Sequence, residues 1–339
     1  MKLLYRYLAK KSAVYFIVLI SIFSILVISS QMLNLPSAIY HINIFRFIQS
    51  LMLINLSFFK IQLLFSYSLA FLFLGYSLRE QNQIYAIYSS GISKLNFLKV
   101  FFLIGILASL TAFIVSFFIV PYANKERVKF ITTNVQKYFL ESINPRNFTK
   151  LPGDYIIYVS QKKKNNFYNT MIYNRKNGFL ITAKRAVFDK SNLVLFRGIL
   201  QLPGKKGFTV LTYDKYVLDL KINYKKNLSF EGFSFQDLVS LIKTGNKKEK
   251  LKAIATISER IGYTVPFVFF SSLFFFLGLG IKKDRDFILG TGIFLLIVYL
   301  SINYYMVKLI EKGIIFPLIY FLVLLAICVL PLIFFYKKV

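Results

Sequence analysis

The chain has 339 residues, 56% of them hydrophobic, a mean hydropathy of +0.59 and a formal charge of +29 from 43 Lys+Arg against 14 Asp+Glu. So much apolar residue, gathered in long uncharged blocks, excludes the soluble globular class and places the chain among membrane proteins. The charge does not point to nucleic acid, because the basic residues flank apolar blocks or lie in an inserted segment, where anionic headgroups are the better match.

In chain order, Lys2, Arg6, Lys10 and Lys11 precede the apolar run Ala13–Leu33. The run is too long for a signal-peptide core and no small-residue cleavage pattern follows it, so it reads as a retained first span. Ile39–Phe59 is apolar but holds Arg46, Gln49 and Asn55. It reads as an amphipathic, interfacial lead-in to the second span, Ile61–Leu78. The third span is Val100–Val120, and Ile261–Ile281, Phe287–Val307 and Gly313–Tyr336 follow as the fourth to sixth. A span needs about 20 mostly apolar residues. None of the six contains Lys, Arg, Asp or Glu, which are costly at mid-bilayer.

Short loops set orientation. Basic residues cluster at the N-terminus, between spans two and three (Arg79, Lys94, Lys99), between spans four and five (Lys282, Lys283, Arg285) and at the C-terminus (Lys337, Lys338). Both termini are therefore expected in the cytoplasm. The segment Pro121–Arg260 falls on the far side although it carries 27 Lys+Arg and 10 Asp+Glu, since long domains cross largely regardless of charge.

That segment opens as a charged continuation of span three, Pro121–Phe139. Beyond Asn144 come short β-rich runs, DYIIYV, NTMIYN, GFLITAKRAVF, NLVLF, GILQL and GFTVLTYDKYVLDL, most of them separated by Gly, Asn, Asp or Pro. The spacing predicts an antiparallel sandwich or jelly roll. Phe235–Lys243 and Lys248–Glu259 read as helices leading into span four. The fold class is thus a polytopic α-helical membrane protein of six transmembrane helices with an inserted extracytoplasmic β-jellyroll-like domain. Residues 1–120 hold spans one to three with an N-terminal interfacial helix, 121–260 the β domain with helical connectors, and 261–339 spans four to six.

Catalytic and metal signatures are absent. There is no G-x-x-x-x-G-K-[ST], H-E-x-x-H or G-x-S-x-G, the one Cys is Cys328 and the one His is His41. Asp284 and Asp286 flank Arg285 in a short loop and read as solvated topology residues. The spans lack the ionisable group that a proton-coupled transporter usually carries.

Three spans, a large β domain and three more spans, with several local runs, resemble the LptF/LptG family of permeases of the lipopolysaccharide export ABC transporter. LLYRYLAKKSAVYF is similar to that family's opening, where a basic helix lies on the membrane before span one. REQNQIYAIYSSGISKLNFLKV resembles its cytoplasmic coupling segment, with Gly91, Ile92 and Ser93 as the Gly-Ile-Ser. RIGYTVPFVFFSSLFFFLGLGIKKDRD resembles its fourth span, with Pro266, Gly278 and Gly280. In the family a Glu stands a few residues before the Gly-Ile-Ser. Counting back from Gly91, that place falls on Gln83, and the nearest Glu is Glu80. The run NFTKLPGDYIIYV looks more like LptF than LptG.

The resemblance implies a subunit of a non-enzymatic exporter in the bacterial inner membrane, with no cofactor in this chain and ATP bound by a partner. Implied partners are a paralogous permease, a cytoplasmic ABC ATPase dimer, a periplasmic β-jellyroll bridge and lipopolysaccharide itself. The coupling segment would present Glu80, Gln83, Tyr85, Tyr88, Gly91, Ile92 and Ser93 to the ATPase. Lys125, Arg127 and Lys129 after span three, and Arg46 after span one, are candidates for substrate phosphates; ordinary snorkelling is the plainer account of each. Phe117, Phe118, Phe274, Phe275 and Phe276 are candidates for a wall against acyl chains, or face bulk lipid. Asn303, with Tyr304 and Tyr305, ends span five, where the family has its lateral gate and where an interfacial aromatic belt is also expected. Two alternatives stand beside this reading. One is a permease-like mechanotransmission protein with a partner ATPase, which usually has four spans. The other is a membrane-embedded lipid-modifying enzyme, for which no convincing polar set is present.

Overall fold

The computed structural model describes residues 2–33, 35, 43–130, 143–151, 155–163, 166–189, 192–204, 207–219, 229–281 and 284–338. His41, residues 131–139 of the charged continuation, residues 152–154, and Lys282 and Lys283 lie outside the described residues. The helices are α1 (Lys2–Met32), α2 (Ile44–Ser57), α3 (Phe59–Glu80), α4 (Gln83–Ser89) and α5 (Lys94–Ile114), which runs on through a π-helical turn, Val115–Ile119, to Phe130. Six strands follow: β1 (Phe148–Leu151), β2 (Tyr155–Lys163), β3 (Asn166–Asn174), β4 (Leu180–Asp189), β5 (Asn192–Gly204) and β6 (Gly207–Asp219). A 3-10 turn, Phe230–Gly232, leads to α6 (Phe235–Thr244), α7 (Lys247–Gly262), α8 (Pro266–Gly280), α9 (Arg285–Glu311) and α10 (Pro317–Lys338).

Among the described residues, six segments are long and apolar enough to cross a membrane: Leu4–Met32, Phe59–Glu80, Lys94–Phe130, Lys247–Gly280, Arg285–Glu311 and Pro317–Lys338. The antiparallel sheet is inserted between the third and the fourth, as the fold class anticipated. Two boundaries differ from the sequence reading. The expected interfacial opening is not a separate helix: Lys2–Met32 is unbroken, because no Gly or Pro interrupts it. The connectors α6 and α7 group with the spans, and the helical unit resumes at Ser229 instead of residue 261.

The chain forms two compact units, one of Met1–Asn34, Leu51–Glu126 and Ser229–Val339, the other of Leu35–Ser50 and Arg127–Leu228. In the first, α8 is the hub. It is apolar around its whole circumference, as a helix enclosed by others must be, and it packs on α3, α5 and α10. Gly75 of α3 and Gly278 of α8 allow that contact: a Cβ on Gly75 would sit 2.2 Å from the Phe275 carbonyl oxygen, and one on Gly278 2.3 Å from that of Leu72. Small residues let backbones approach in this way where no hydrophobic drive separates helix from lipid.

The second unit carries one sheet whose strands hydrogen-bond in sequence order, β1 to β6. NLVLF and GILQL, separate runs in the sequence, belong to the single strand β5. Inward residues such as Ile157, Phe167, Ile172, Ile181, Leu193 and Leu218 form its core. The alternation changes phase within strands. Phe167 is buried in β3, and then Thr170 and Ile172; in β4, Ile181 and Ala183 are buried, and then Ala186. The slip falls on one row. Asn169 and Arg197 have φ of 49°, and the paired neighbours Tyr168↔Arg185 and Thr170↔Ala183, then Arg185↔Phe196 and Ala183↔Gly198, place Lys184 between them. A left-handed residue turns the backbone so that the next side chain falls on the other face.

Candidate functional site

Two ends of the helical unit gather the chemistry. At one end α4 sits between α3 and α5. Asn82 begins it with a φ of 55°, and Gly91 ends the turn after it with a φ of 83°, its N–H donating to Tyr88 O at 3.0 Å. Glycine after a helix end accepts this left-handed conformation without strain. Tyr7 of α1 donates to Gln83 Oε1 at 3.4 Å, and Lys11 to Gln81 Oε1 at 3.3 Å. Gln83, the position where a Glu was expected, therefore faces α1. Tyr88 turns inward, its ring edge-on to Phe97 at 6.2 Å. Tyr85, Glu80, Gly91 and Ser93 are exposed and Ile92 is half-buried.

At the other end, where the chain leaves for the sheet and returns, the break between α7 and α8 dominates. Pro266 has no N–H for Gly262 O, and the N–H groups of Thr264 and Val265 both bond Ile261 O at 2.8 and 3.0 Å. The carbonyls of Arg260 and Gly262 are left over, and a buried carbonyl needs a donor. Ser116, in the π-helical turn, donates to Arg260 O at 3.3 Å, and the Tyr299 hydroxyl donates to Gly262 O. The Arg260 side chain bonds back to the returning chain at Glu231 O (3.2 Å) and Phe233 O (2.6 Å) and lies over the Phe117 ring at 5.9 Å. Beside it, Lys60 and Glu259 pair at 2.8 Å with side chains only 10% and 21% exposed, and Lys60 also lies over the Tyr263 ring at 4.5 Å.

Two cavities open around this junction. A cavity of 530 Å³ is lined by Phe117, Phe118, Pro121, Tyr122, Lys125, Gly232, Ser234, Phe235, Gln236 and Asp237. Asp237 closes a capping box on α6, and the Ser234 hydroxyl, with added attraction from Lys125, holds its carboxyl below the ordinary carboxylate range. The second, 410 Å³, lies between α7 and the end of α9 and includes Asn303, Tyr304 and Lys308. A third, 310 Å³, is an apolar groove floored by α3 and walled by α1 and α5.

The sequence-predicted site residues thus separate. Phe117, Phe118 and Lys125 meet in the first cavity and Asn303 lines the second. Arg127 is half-buried and Lys129 exposed on the same helix beyond Lys125, and Arg46 is exposed on α2. Phe274, Phe275 and Phe276 do not form a surface: all three are fully buried. Phe275 stacks on Phe97 at 5.4 Å and meets Phe101 at 4.4 Å. The reason is the enclosure of α8, which leaves it no outward face. Tyr305 is exposed, consistent with an aromatic at a span end.

Sequence reasoning missed Lys60, Glu259, Arg260, Tyr299 and Tyr320, the last with its buried hydroxyl 3.0 Å from Ser258 O. Pro266 was the available signal, because a proline inside an apolar helix frees a carbonyl that some neighbour must satisfy. No comparable signal pairs Lys60 with a residue 199 positions away.

The model of one family, described as "Lipopolysaccharide export system permease LptF/LptG", matches residues 6–338. No curated protein matches the chain.

Proposed function

The chain belongs to the LptF/LptG family of lipopolysaccharide export permeases, and on that footing we propose that it is one permease half of an ATP-driven exporter, the LptF-like half. It is a multi-pass inner-membrane protein. In this reading both termini are cytoplasmic and the sheet is periplasmic, supported by the alternation of basic loops. ATP binds and is hydrolysed in a separate cytoplasmic dimer, and a paralogous permease completes the membrane part. Lipopolysaccharide enters from the outer leaflet and passes to the sheet and then to a bridge of similar sheets, for which β1 and β6, the two edge strands, are the docking elements.

The observation that carries the reading is α4. A short helix pinned to α1 through Gln83, with Tyr85 turned 59% outward, is built to pass movement from an outside partner to the span bundle. Tyr85, and not Gln83, is the contact residue we assign to the ATPase. On the far side, Lys125, Arg127, Lys129 and Arg46 supply cations for the substrate's phosphates, and Phe117 and Phe118 an apolar surface beside Lys125. Phe274 and Phe275 have no part in it.

The test is affinity purification of the tagged full chain in mild detergent. A P-loop ATPase and a related six-span chain should co-purify with bound lipopolysaccharide. Tyr85→Ala should release the ATPase while leaving the thermal transition of the chain unchanged. Recovery of the chain alone, with neither ATPase nor lipopolysaccharide, sinks the reading.

A further inference from the structure

We propose that one half of the outward face of the sheet docks on an anionic lipid surface, the phosphate layer of the membrane that this chain spans. The core of the sheet lies on its inward face, and the row holding Asn169 and Arg197 divides the sheet in two. In the half that ends at the β3–β4 turn, residues paired across strands share the outward face. One row runs Phe148, Tyr158, Met171, Thr182, Ile199 and Thr212. The next starts at Lys150 and continues through Ile156, Tyr173, Leu180, Gln201 and Val210, with Phe208 beyond it on β6. Neither row holds an acidic residue, and most members are apolar or aromatic. Phe148 and Phe208 are 69% and 70% exposed, and Met171, Tyr173, Ile199 and Val210 are exposed as well. The Phe148 ring meets that of Tyr158 at 5.1 Å. Across the dividing row the outward face is different: Gln161, Tyr168, Arg185, Phe196 and Lys215 line up there, and Arg185 bonds Asn166 Oδ1 at 3.0 Å. The apolar surface is therefore confined to one half.

Size and charge choose the occupant. Strands about 4.8 Å apart and rows about 7 Å apart make the patch roughly 25 by 15 Å, about 400 Å². That is half of the roughly 800 Å² that each partner gives to a stable protein interface, whereas a contiguous apolar patch with a polar rim also marks membrane contact. The rim supplies the charge. The three links at this end of the sheet, residues 152–154, 175–179 and 205–206, carry Arg175, Lys176, Lys205 and Lys206 against one carboxylate, Asp154. The dividing row adds Lys184 and Arg197 against Asp214. Cations and apolar area are the two terms that hold a protein surface on anionic lipid. A separate observation agrees. The same compact unit takes in Leu35–Ser50, where Ile44, Phe45 and Ile48 of α2 are exposed, so it already carries an apolar stripe of the interfacial kind.

The chain has no Trp, so Phe208→Trp, at an exposed position of an edge strand, places a single indole in the face. The full chain is reconstituted in vesicles of brominated phosphatidylcholine with rising fractions of phosphatidylglycerol. The indole should lose roughly half its intensity as phosphatidylglycerol enters. It should recover at about 1 M salt, where screening acts within about 3 Å. Arg175→Gln with Lys176→Gln should weaken docking about 25-fold, about five-fold for each cation. Tyr168→Trp, in the polar half, should stay unquenched.

The proposal rests on the six spans and not on the exporter reading, and the vesicles hold neither ATPase nor lipopolysaccharide, so the two stand or fall apart. An indole at position 208 that no fraction of phosphatidylglycerol quenches overturns the proposal. If that unquenched indole is also shielded from iodide, a second copy of the chain covers the face in place of lipid. Quenching that ignores phosphatidylglycerol, salt and the loss of Arg175 and Lys176 overturns the anionic surface. Equal quenching at positions 168 and 208 overturns the assignment to one half of the sheet.

Discussion

The helical unit and the β unit solve the same problem, satisfying buried backbone and side-chain polar groups, by opposite routes. The spans satisfy their backbone mainly along their own length, and a set of long-range polar contacts gathers where a helix breaks, at residues 258–266. Ser116, Tyr299, Tyr320 and the Lys60–Glu259 pair all converge there. In the sheet the backbone bonds are themselves long-range, and its irregularity is a row that holds two left-handed residues, Asn169 and Arg197, where the side chains facing the core change phase. The lesson is that disruption in the bundle is a point repaired by side chains, whereas disruption in the sheet is a line shared by every strand it crosses.

The largest effect should come from the point repair. Removing one partner of a buried ion pair leaves an uncompensated charge, at a cost of about 3–5 kcal/mol. Lys60→Met should therefore lower the thermal transition of the full chain sharply in detergent, and Lys60→Met with Glu259→Met should recover much of the loss. A single variant as stable as the parent would show that the pair is not what holds the junction.

In the sheet the sharpest probe is Gly198, where a Cβ would stand 1.8 Å from Thr182 O and 2.5 Å from the Tyr213 hydroxyl. Gly198→Ala should cost about 3 kcal/mol by overpacking. Hydrogen exchange in the full chain should rise across β4, β5 and β6 and stay unchanged in α3 and α8. Exchange that rises in both units would erase the contrast between them.

A smaller, pH-dependent effect belongs to the same place. Tyr213 donates to Thr182 O at 2.6 Å, and burial pushes its hydroxyl up to about 12 from an ordinary 10.0. The folded sheet thus favours the protonated phenol. Its contribution is complete below pH 10 and is lost as pH rises from about 10 to about 12. Exchange protection of β4 and β5 should fall over that window, and Tyr213→Phe should flatten the dependence.

The smallest effect should be at Lys308, whose partner Glu311 is one helical turn away on a half-exposed surface. Lys308→Met should change stability by about 0–1 kcal/mol. A loss as large as that of Lys60→Met would mean that exposure does not separate the two pairs.

Much of this organisation was legible in the residues. Six uncharged blocks marked six spans because charge in hydrocarbon is costly, and short runs rich in β-branched and aromatic residues marked the sheet. The register of the sheet was less legible. NLVLF and GILQL looked like two strands because Arg197 between them and Gly198 at the start of the second carry a loop-like signal, and only cross-strand pairing shows them to be one. Of the candidate residues, the structure brings some together and buries others. Phe117, Phe118 and Lys125 do share a cavity, since residues seven and eight apart, two turns on, lie on one helix face. Phe274 and Phe275 were assigned a surface because apolarity alone cannot tell lipid-facing from enclosed.

What the sequence determined by itself is whatever depends on neighbours along the chain: span length, the proline break, the glycine that ends α4, and the class of the protein. What only the tertiary structure decided is which of those features face one another. Lys60 and Glu259 are 199 residues apart, and nothing local makes either seek the other. The packing of α3 against the α7–α8 junction brings them together, because a charge at the edge of hydrocarbon must find its opposite or stay in water.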